Sequence, residues 1–459
     1  MSDEREERPE RDEDAEAAER LEAVLQAVEA GDAASLEALM EPLHAADIAD
    51  LLEQIGSADR QALLKLWHAG IDGEILSEID DSIREEVIEA LPDEVVAEAV
   101  RELETDDVVD ILEDLDEPAQ ERILEALEDA DRVAVEQALS YPEYSAGRLM
   151  QREVVVAPEH WTVGEAIDYL RRAERLPDQF YHVILVDPRM KPVGYVTLGR
   201  VLSSARKVAL RDITEDSFRT VEATDEEADV AYIFNQYHMI SCPVVDADGR
   251  LVGVITIDDA MIVLDEEHEE DMLRMAGVHD ESSLSDRVIE AAKGRAVWLG
   301  VNLLTAILAS LVIDMFADTI GAMVALAVLM PIVASMGGNA GTQSMTVAVR
   351  SLATRDLTPR NAARVIRREI AVGALNGLLF GVVMAAVAAF WFGVPMLGLV
   401  IGLAMVLTLV SAALSGILIP MALERFGIDP ALASGPFVTT VTDVVGFFAF
   451  LGLASVMLL

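Results

Sequence analysis

The apolar positions of this chain fall into three regimes. From about residue 21 to 139 they recur at helical spacing, with breaks such as Leu91-Pro92-Asp93 and Asp116-Glu117-Pro118. The spacing predicts many short helices. Ala46-Asp47-Ile48-Ala49-Asp50-Leu51-Leu52-Glu53 returns sixty residues later as Asp106-Asp107-Val108-Val109-Asp110-Ile111-Leu112-Glu113, and helical repeats of this kind stack into an α-superhelix. In the next stretch, apolar runs of five residues are bounded by Asp-Pro or Asp-Gly. His182-Val183-Ile184-Leu185-Val186-Asp187 through Gly194-Tyr195-Val196-Thr197 recurs 59 residues later as Ser241-Cys242-Pro243-Val244-Val245-Asp246 through Gly253-Val254-Ile255-Thr256. Each copy predicts a helix (163–172, 226–237), a strand, a turn and a strand. An acidic helical segment over 258–279 follows.

From residue 296 onward the pattern changes to five apolar runs of membrane-spanning length, at 296–315, 321–347, 370–392, 397–421 and 436–459. Arg287, Lys293 and Arg295 precede the first run. Arg350, Arg355, Arg360, Arg364, Arg367 and Arg368 lie between the second and third, and Arg425 between the fourth and fifth; the other two loops have no Lys or Arg. By the positive-inside rule the N-terminus is cytoplasmic and the C-terminus outside. The opening residues lack an apolar stretch, so no signal peptide is expected.

Charge sharpens this division. Of 34 Lys+Arg and 82 Asp+Glu, only ten and nine fall from Asp286 onward, so nearly all of the net −48 belongs to the part before it. Such a half repels nucleic acid and anionic lipid and attracts cations, which makes metal ions its natural small partners. With only four Lys (Lys65, Lys191, Lys207, Lys293), part of the acidity is also open to a reading as salt adaptation. One cysteine, Cys242, excludes an intrachain disulfide and a Cys₄ zinc site. In the acidic segment, Asp265, Glu266, Glu267, Glu269, Glu270 and Asp271 crowd nearly two turns, so neighbours repel unless cations sit beside them.

Ionisable groups inside hydrocarbon are costly and point to function. Asp443 alone lies well inside a run, with Thr439 one turn before it and Gly446 and Phe447 one turn after; Asp314, Asp318, Asp356, Glu369, Glu424 and Asp429 read as run ends or loops. The second run carries Pro331, the pair Gly337 and Gly341, and Asn339 and Gln343 one turn apart. A GxxxG pair lets two backbones approach closely, and here, with one acid per chain, it calls for helices from a second copy. Pro331 can kink the helix and free a carbonyl. No nucleophile–base pair supports an enzyme. A coupled secondary transporter, or a membrane-anchored sensor, stands beside a channel as a reading of the same residues.

The strand repeats resemble a tandem pair of CBS (cystathionine β-synthase-type) modules, which regulate what they are attached to. Gly337-Gly338-Asn339-Ala340-Gly341-Thr342-Gln343, Arg350-Ser351-Leu352-Ala353-Thr354-Arg355-Asp356-Leu357, Asp429-Pro430-Ala431-Leu432-Ala433-Ser434 and Asp443-Val444-Val445-Gly446 resemble the MgtE family of magnesium channels. So does Ser145-Ala146-Gly147-Arg148-Leu149-Met150 at the end of the helical region. The resemblance implies a homodimer in the inner membrane: an acidic disordered tail (1–20), a helical superhelix N-domain (21–142), α/β CBS modules (143–210 and 211–262), a connecting plug helix (259–280) and an all-α domain of five transmembrane helices (286–459). It implies Mg²⁺ as both substrate and regulator, with Asp443 in the ion path and Asn339, Gly446 and Thr439 near it. Asp259, Glu267, Glu270, Asp271 and Asp429 become regulatory ligands. Position 262, where the family can place an acid, is Ile, so one sensor site is missing or rebuilt from Asp265 or Glu266. A Thr-x-x-Asp element that contacts ribose in nucleotide-binding modules is kept at Thr256 and Asp259 but not at Thr197 and Arg200, which confines any ATP binding to one module.

Overall fold

A computed structural model describes residues 10–113, 115–173, 176–177, 179–278 and 288–459. The chain divides into two compact units, Met1–Glu266 and Glu267–Leu459.

The first unit opens with short helices from Glu10–Ala30 to Asp129–Ala138. Residues 10–20, expected as disordered tail, are helical, because Glu10–Ala30 is rich in Ala, Glu and Leu and buries Val24 and Ala27; the rest of that expectation lies outside the described residues. Side chains of Asp32, Asp72, Asp80 and Asp116 accept backbone N–H groups at helix starts, so part of the acidity is capping. Helices pack on the next but one: Ala45–Gln54 on Gly73–Ser77, Ser57–Trp67 on Asp81–Ala90, and Asp93–Glu102 on Glu117–Ala126. These pairings build a helical domain. The sixty-residue echo appears as Ala45–Gln54 and Thr105–Glu113, whose inward faces bury Ile48, Leu51 and Leu52 and, equivalently, Val108, Ile111 and Leu112.

The repeat also carries a polar clamp that holds one helix to the end of another. Arg60 Nε donates to Leu52 O at 2.9 Å and Nη2 to Ile55 O at 3.0 Å, while Nη1 meets Glu86 at 2.6 Å. Sixty residues on, Gln120 Nε2 donates to Leu112 O at 2.8 Å and Leu115 O at 2.9 Å. Both side chains satisfy carbonyls that the helix ends leave orphaned.

Two three-stranded sheets follow. In one, β1 (Val156–Pro158) runs parallel to β2 (His182–Val186), which is antiparallel to β3 (Pro192–Thr197). In the other, β4 (Val221–Glu222), β5 (Ser241–Val245) and β6 (Leu251–Thr256) repeat the pattern. The modules touch at equivalent positions, His182 Nδ1 lying 2.5 Å from Ser241 Oγ. The module edges interleave more than expected: residues placed in the first module from 143 onward pack on the second. Ala146 N and Gly147 N donate to Asp225 O and Ala223 O, Gln151 pairs with Val254, and Met150 is buried in the second module's core.

Ile257–Ala276 is one helix, shorter at its end than the expected 259–280 because Gly277 takes a left-handed φ of +72° and Val278 N bonds back to Leu273 O, a glycine stop. Residues 279–280 lie outside the described residues.

Among the described residues, the second unit contains five helices long and apolar enough to cross a membrane: Val288–Asp314, Ala325–Ala353, Ala362–Phe392, Pro395–Arg425 and Pro430–Met457. The third starts eight residues before the apolar run, its first turns carrying arginines. The last starts six residues before its run because Asp429 caps it, accepting Ala431 N at 2.7 Å, with Pro430 in the first turn. The fourth is central, packing on the second, third and fifth, and the first lies outermost, against the fifth.

The glycine pair expected to receive a second copy is instead filled from within the same chain. A Cβ on Gly337 would lie 2.7 Å from Thr408 Cγ2, and one on Gly341 would lie 2.7 Å from Val438 Cγ1. The second, fourth and fifth spans close on each other there. Arg60→Ala should lower the stability of the superhelix by about 3 kcal/mol, since it uncovers two carbonyls and leaves Glu86 unpaired; urea unfolding of the detergent-solubilised chain checks this, and an unchanged transition would contradict the clamp.

Candidate functional site

Three groups of carboxylates stand out. The first is Asp443, midway along the last helix, half-buried and without a hydrogen bond or ion pair among the described residues. Around it the helix is rich in hydroxyls turned to their own backbone: Thr439 donates to Gly435 O and Pro436 O, both 3.1 Å, and Thr442 to Thr439 O at 2.9 Å. Gly446 faces inward, where a Cβ would meet Thr408 Cγ2 at 3.3 Å and Val333 Cγ1 at 3.4 Å, so its smallness serves packing inside the protomer. Asn339 and Gln343 are exposed, each two residues on from a buried glycine of the pair and hence on the far side of the helix from it.

A second carboxylate within the spans escaped the pattern. Glu369, read from sequence as a run end, is only 9% exposed inside Ala362–Phe392 and accepts Ser344 Oγ at 3.2 Å. Its helix begins earlier than the apolar run, and that displaced start hid it.

The next group joins the connecting helix to the cap of the last span. Arg274 bridges Glu270 at 2.7 Å and Asp429 at 3.3 Å. Partial burial raises the Glu267 carboxyl, reinforced by Glu270, Asp271 and Asp429 and opposed by Arg274; Asp271 is raised by burial and by Asp429. Four of the expected regulatory residues thus share one electrostatic neighbourhood, with an arginine supplying the counter-charge. Asp259 belongs elsewhere, and Ile262 is exposed. Among the described residues no three His, Cys, Asp or Glu side chains are placed to grip one metal ion.

The remaining group lies in the first unit, between superhelix and modules. Thr256 Oγ1 donates to Asp259 Oδ2 at 2.7 Å and also to Asp258, so the Thr-x-x-Asp element is bonded to itself. Beside it Asp106, 8% exposed, is pushed well up by burial and by Asp259, Asp107 and Glu104. Burial and like charge also raise Asp107 to about 6 and Asp259 to about 7. Thr105 Oγ1 donates to Glu153 at 2.8 Å, and Gln151 and Arg148 reach Glu104 and Glu113 from the module side. Of these acids only Asp259 was singled out as a site. The signal for Asp106 was present, because the first repeat copy has Ala46 where the second has Asp106.

These features define a polytopic membrane transporter of cations with a helical intracellular domain and a CBS pair. Residues 330–453 match the family model described as a divalent cation transporter, residues 43–144 the MgtE intracellular N domain, and residues 146–207 and 210–266 the CBS domain. The chain is 33% identical over 442 residues to the magnesium transporter MgtE of Thermus thermophilus, covering 94% of this chain and 97% of that one. Against the magnesium transporter MgtE of Bacillus subtilis it is 30% identical over 322 residues, 70% of this chain and 71% of the other. The chain belongs to the MgtE family of magnesium transporters. A solved cytosolic domain of the Mg²⁺ channel MgtE in complex with ATP is 28% identical, with a TM-score of 0.49, covering 53% of this chain and 99% of that structure.

Because Asp106, Asp107 and Asp259 hold protons in the folded state at pH values where an unfolded chain has lost them, the contact between superhelix and modules is strongest at low pH and weakens as pH rises through about 6 to 7. In Mg²⁺-free buffer, protease resistance of this contact should fall from about pH 4, the ordinary carboxylate range, to about pH 7, where Asp259 has lost its proton, and stay level above it. Asp107→Asn with Asp259→Asn should flatten the profile; a wild-type profile that is already flat would contradict the assignment.

Proposed function

We propose that the chain is a Mg²⁺-selective channel of the inner membrane, acting as a homodimer whose two Asp443 carboxylates face a shared ion path. The observation that carries this is Asp443 itself, a carboxylate within a membrane span with no counter-charge among the described residues. A hydrated Mg²⁺ supplies that counter-charge while keeping its inner water, with backbone carbonyls and hydroxyls such as Thr439 at outer-shell distance. The relatives' name, magnesium transporter, supports the choice of ion. The arginine-rich loop between the second and third spans supports a cytoplasmic N-terminus and an outward C-terminus.

Regulation follows from charge. The Glu104–Asp107 and Asp258–Asp259 acids on one hand, and Glu267, Glu270, Asp271 and Asp429 on the other, repel when packed together. Cytoplasmic Mg²⁺ bound among them favours the compact, closed arrangement, and its loss lets the acidic faces separate and the path open. A near-complete switch takes about 5.5 kcal/mol of differential binding, within reach of several weak sites. ATP, if it joins, does so at the CBS pair, where Thr256 lines a cleft of about 20 Å³ beside His182 and Ser241; a nucleotide needs that cleft to widen.

Asp443→Ala should abolish Mg²⁺ flux from proteoliposomes while leaving the size of the purified assembly unchanged. Wild-type flux in that variant would remove Asp443 from the path, and conduction by particles of monomer mass would remove the dimer.

A further inference from the structure

Several hydroxyl side chains in these spans bond to their own helix, and buried Ser344 donates instead to Glu369. Ser310, Ser351, Ser415, Thr439, Thr440 and Thr442 each donate to a carbonyl three or four residues back on their own helix, as hydroxyls in apolar surroundings do. Thr408, in the fourth span, and Ser434, in the last, are fully buried and their hydroxyl oxygens have no partner among the described residues.

Thr408 occupies the seam where three helices meet. Its methyl Cγ2 sits in the notch left by Gly337, and both Cγ2 and Oγ1 approach Gly446, where a Cβ would lie 3.3 Å and 3.5 Å from them. Gly446 is one turn beyond Asp443, and the carbonyl of Thr442, the residue before Asp443, turns toward the same notch, 3.8 Å from a Cβ on Gly337. Valine would fill this place as well and would bury no unbonded polar atom. A hydroxyl kept there without a bond is unfavourable in the packing described and becomes favourable only when a neighbour moves to accept it.

We propose that Thr408 is a positioning residue for the ion path: its hydroxyl donates to a carbonyl of the last helix, near Thr442, when that helix shifts along the glycine seam into its conducting position. The bond forms in the conducting packing and is absent in the one described, so Thr408 biases the balance toward conduction. This rests on the reading that the membrane half switches between conducting and closed arrangements.

The test compares Thr408→Val and Thr408→Ser in the full-length chain, by thermal unfolding in detergent and by Mg²⁺ flux from proteoliposomes at several cytoplasmic Mg²⁺ concentrations. Thr408→Val should unfold at a higher temperature than wild type yet conduct about two- to tenfold less at low Mg²⁺, the worth of one hydrogen bond. Its half-inhibiting Mg²⁺ concentration should fall by a similar factor. Thr408→Ser should keep wild-type flux but unfold at a lower temperature, having lost the methyl from the Gly337 notch. A valine variant that is no more stable than wild type, or that conducts like it, overturns the proposal, as does loss of flux in the serine variant. Wild-type flux indifferent to Mg²⁺ would instead count against the gating reading, separately from Thr408.

Discussion

Carboxylates folded into contact need a counter-charge, a proton or a metal ion, and that requirement organises this protein from end to end. Part of the excess acidity is absorbed locally, by helix caps such as Asp32 and Asp116 and by ion pairs such as Arg60 with Glu86. The remainder is gathered where elements meet. Asp106, Asp107 and Asp259 come together between superhelix and modules, and Glu267, Glu270, Asp271 and Asp429 around Arg274. The first cluster answers with protons and the second with one arginine.

The membrane half works under the opposite constraint, since apolar helices gain little from lipid-facing surface and depend on close packing. The fourth span supplies the centre, and the glycines of the second and last spans let backbones approach it. Asp443 lies on the last helix beside that tight seam, so small shifts of one helix move the only carboxylate of the last span. The loop over 354–361 that joins the second and third spans is itself braced, Asn361 Nδ2 donating to Asp356 O at 2.7 Å and Leu357 N to Ser351 O at 2.7 Å.

Much of this was legible in the residues. The sixty-residue echo foretold equivalent helices, the 59-residue echo foretold matching sheets, and five apolar runs foretold five helices, because periodicity and hydropathy report on burial directly. The interleaved module edge at 145–151 was not legible, since nothing in a short apolar segment says which of two similar cores it joins. The GxxxG pair showed that a close approach exists but could not say whether the visitor is another copy or Thr408, Val438 and Thr442 of the same chain. Glu369 was lost to a helix that outruns its apolar window. The acids at the superhelix face were visible as residues, but only folding sets Asp106 beside Asp259, more than 150 residues away along the chain.

The central claim, that cytoplasmic charge repulsion holds the path open until Mg²⁺ relieves it, is tested most directly by one-sided titration. Oriented proteoliposomes carry a fixed Mg²⁺ gradient while Mg²⁺ on the face bearing the N-terminal unit is raised stepwise, first in wild type and then in a chain lacking residues up to about 270. The account predicts that flux in the wild type falls as Mg²⁺ rises on that face, does not respond to Mg²⁺ as an inhibitor on the other, and in the shortened chain stays open throughout. Inhibition that persists unchanged after the deletion would contradict it.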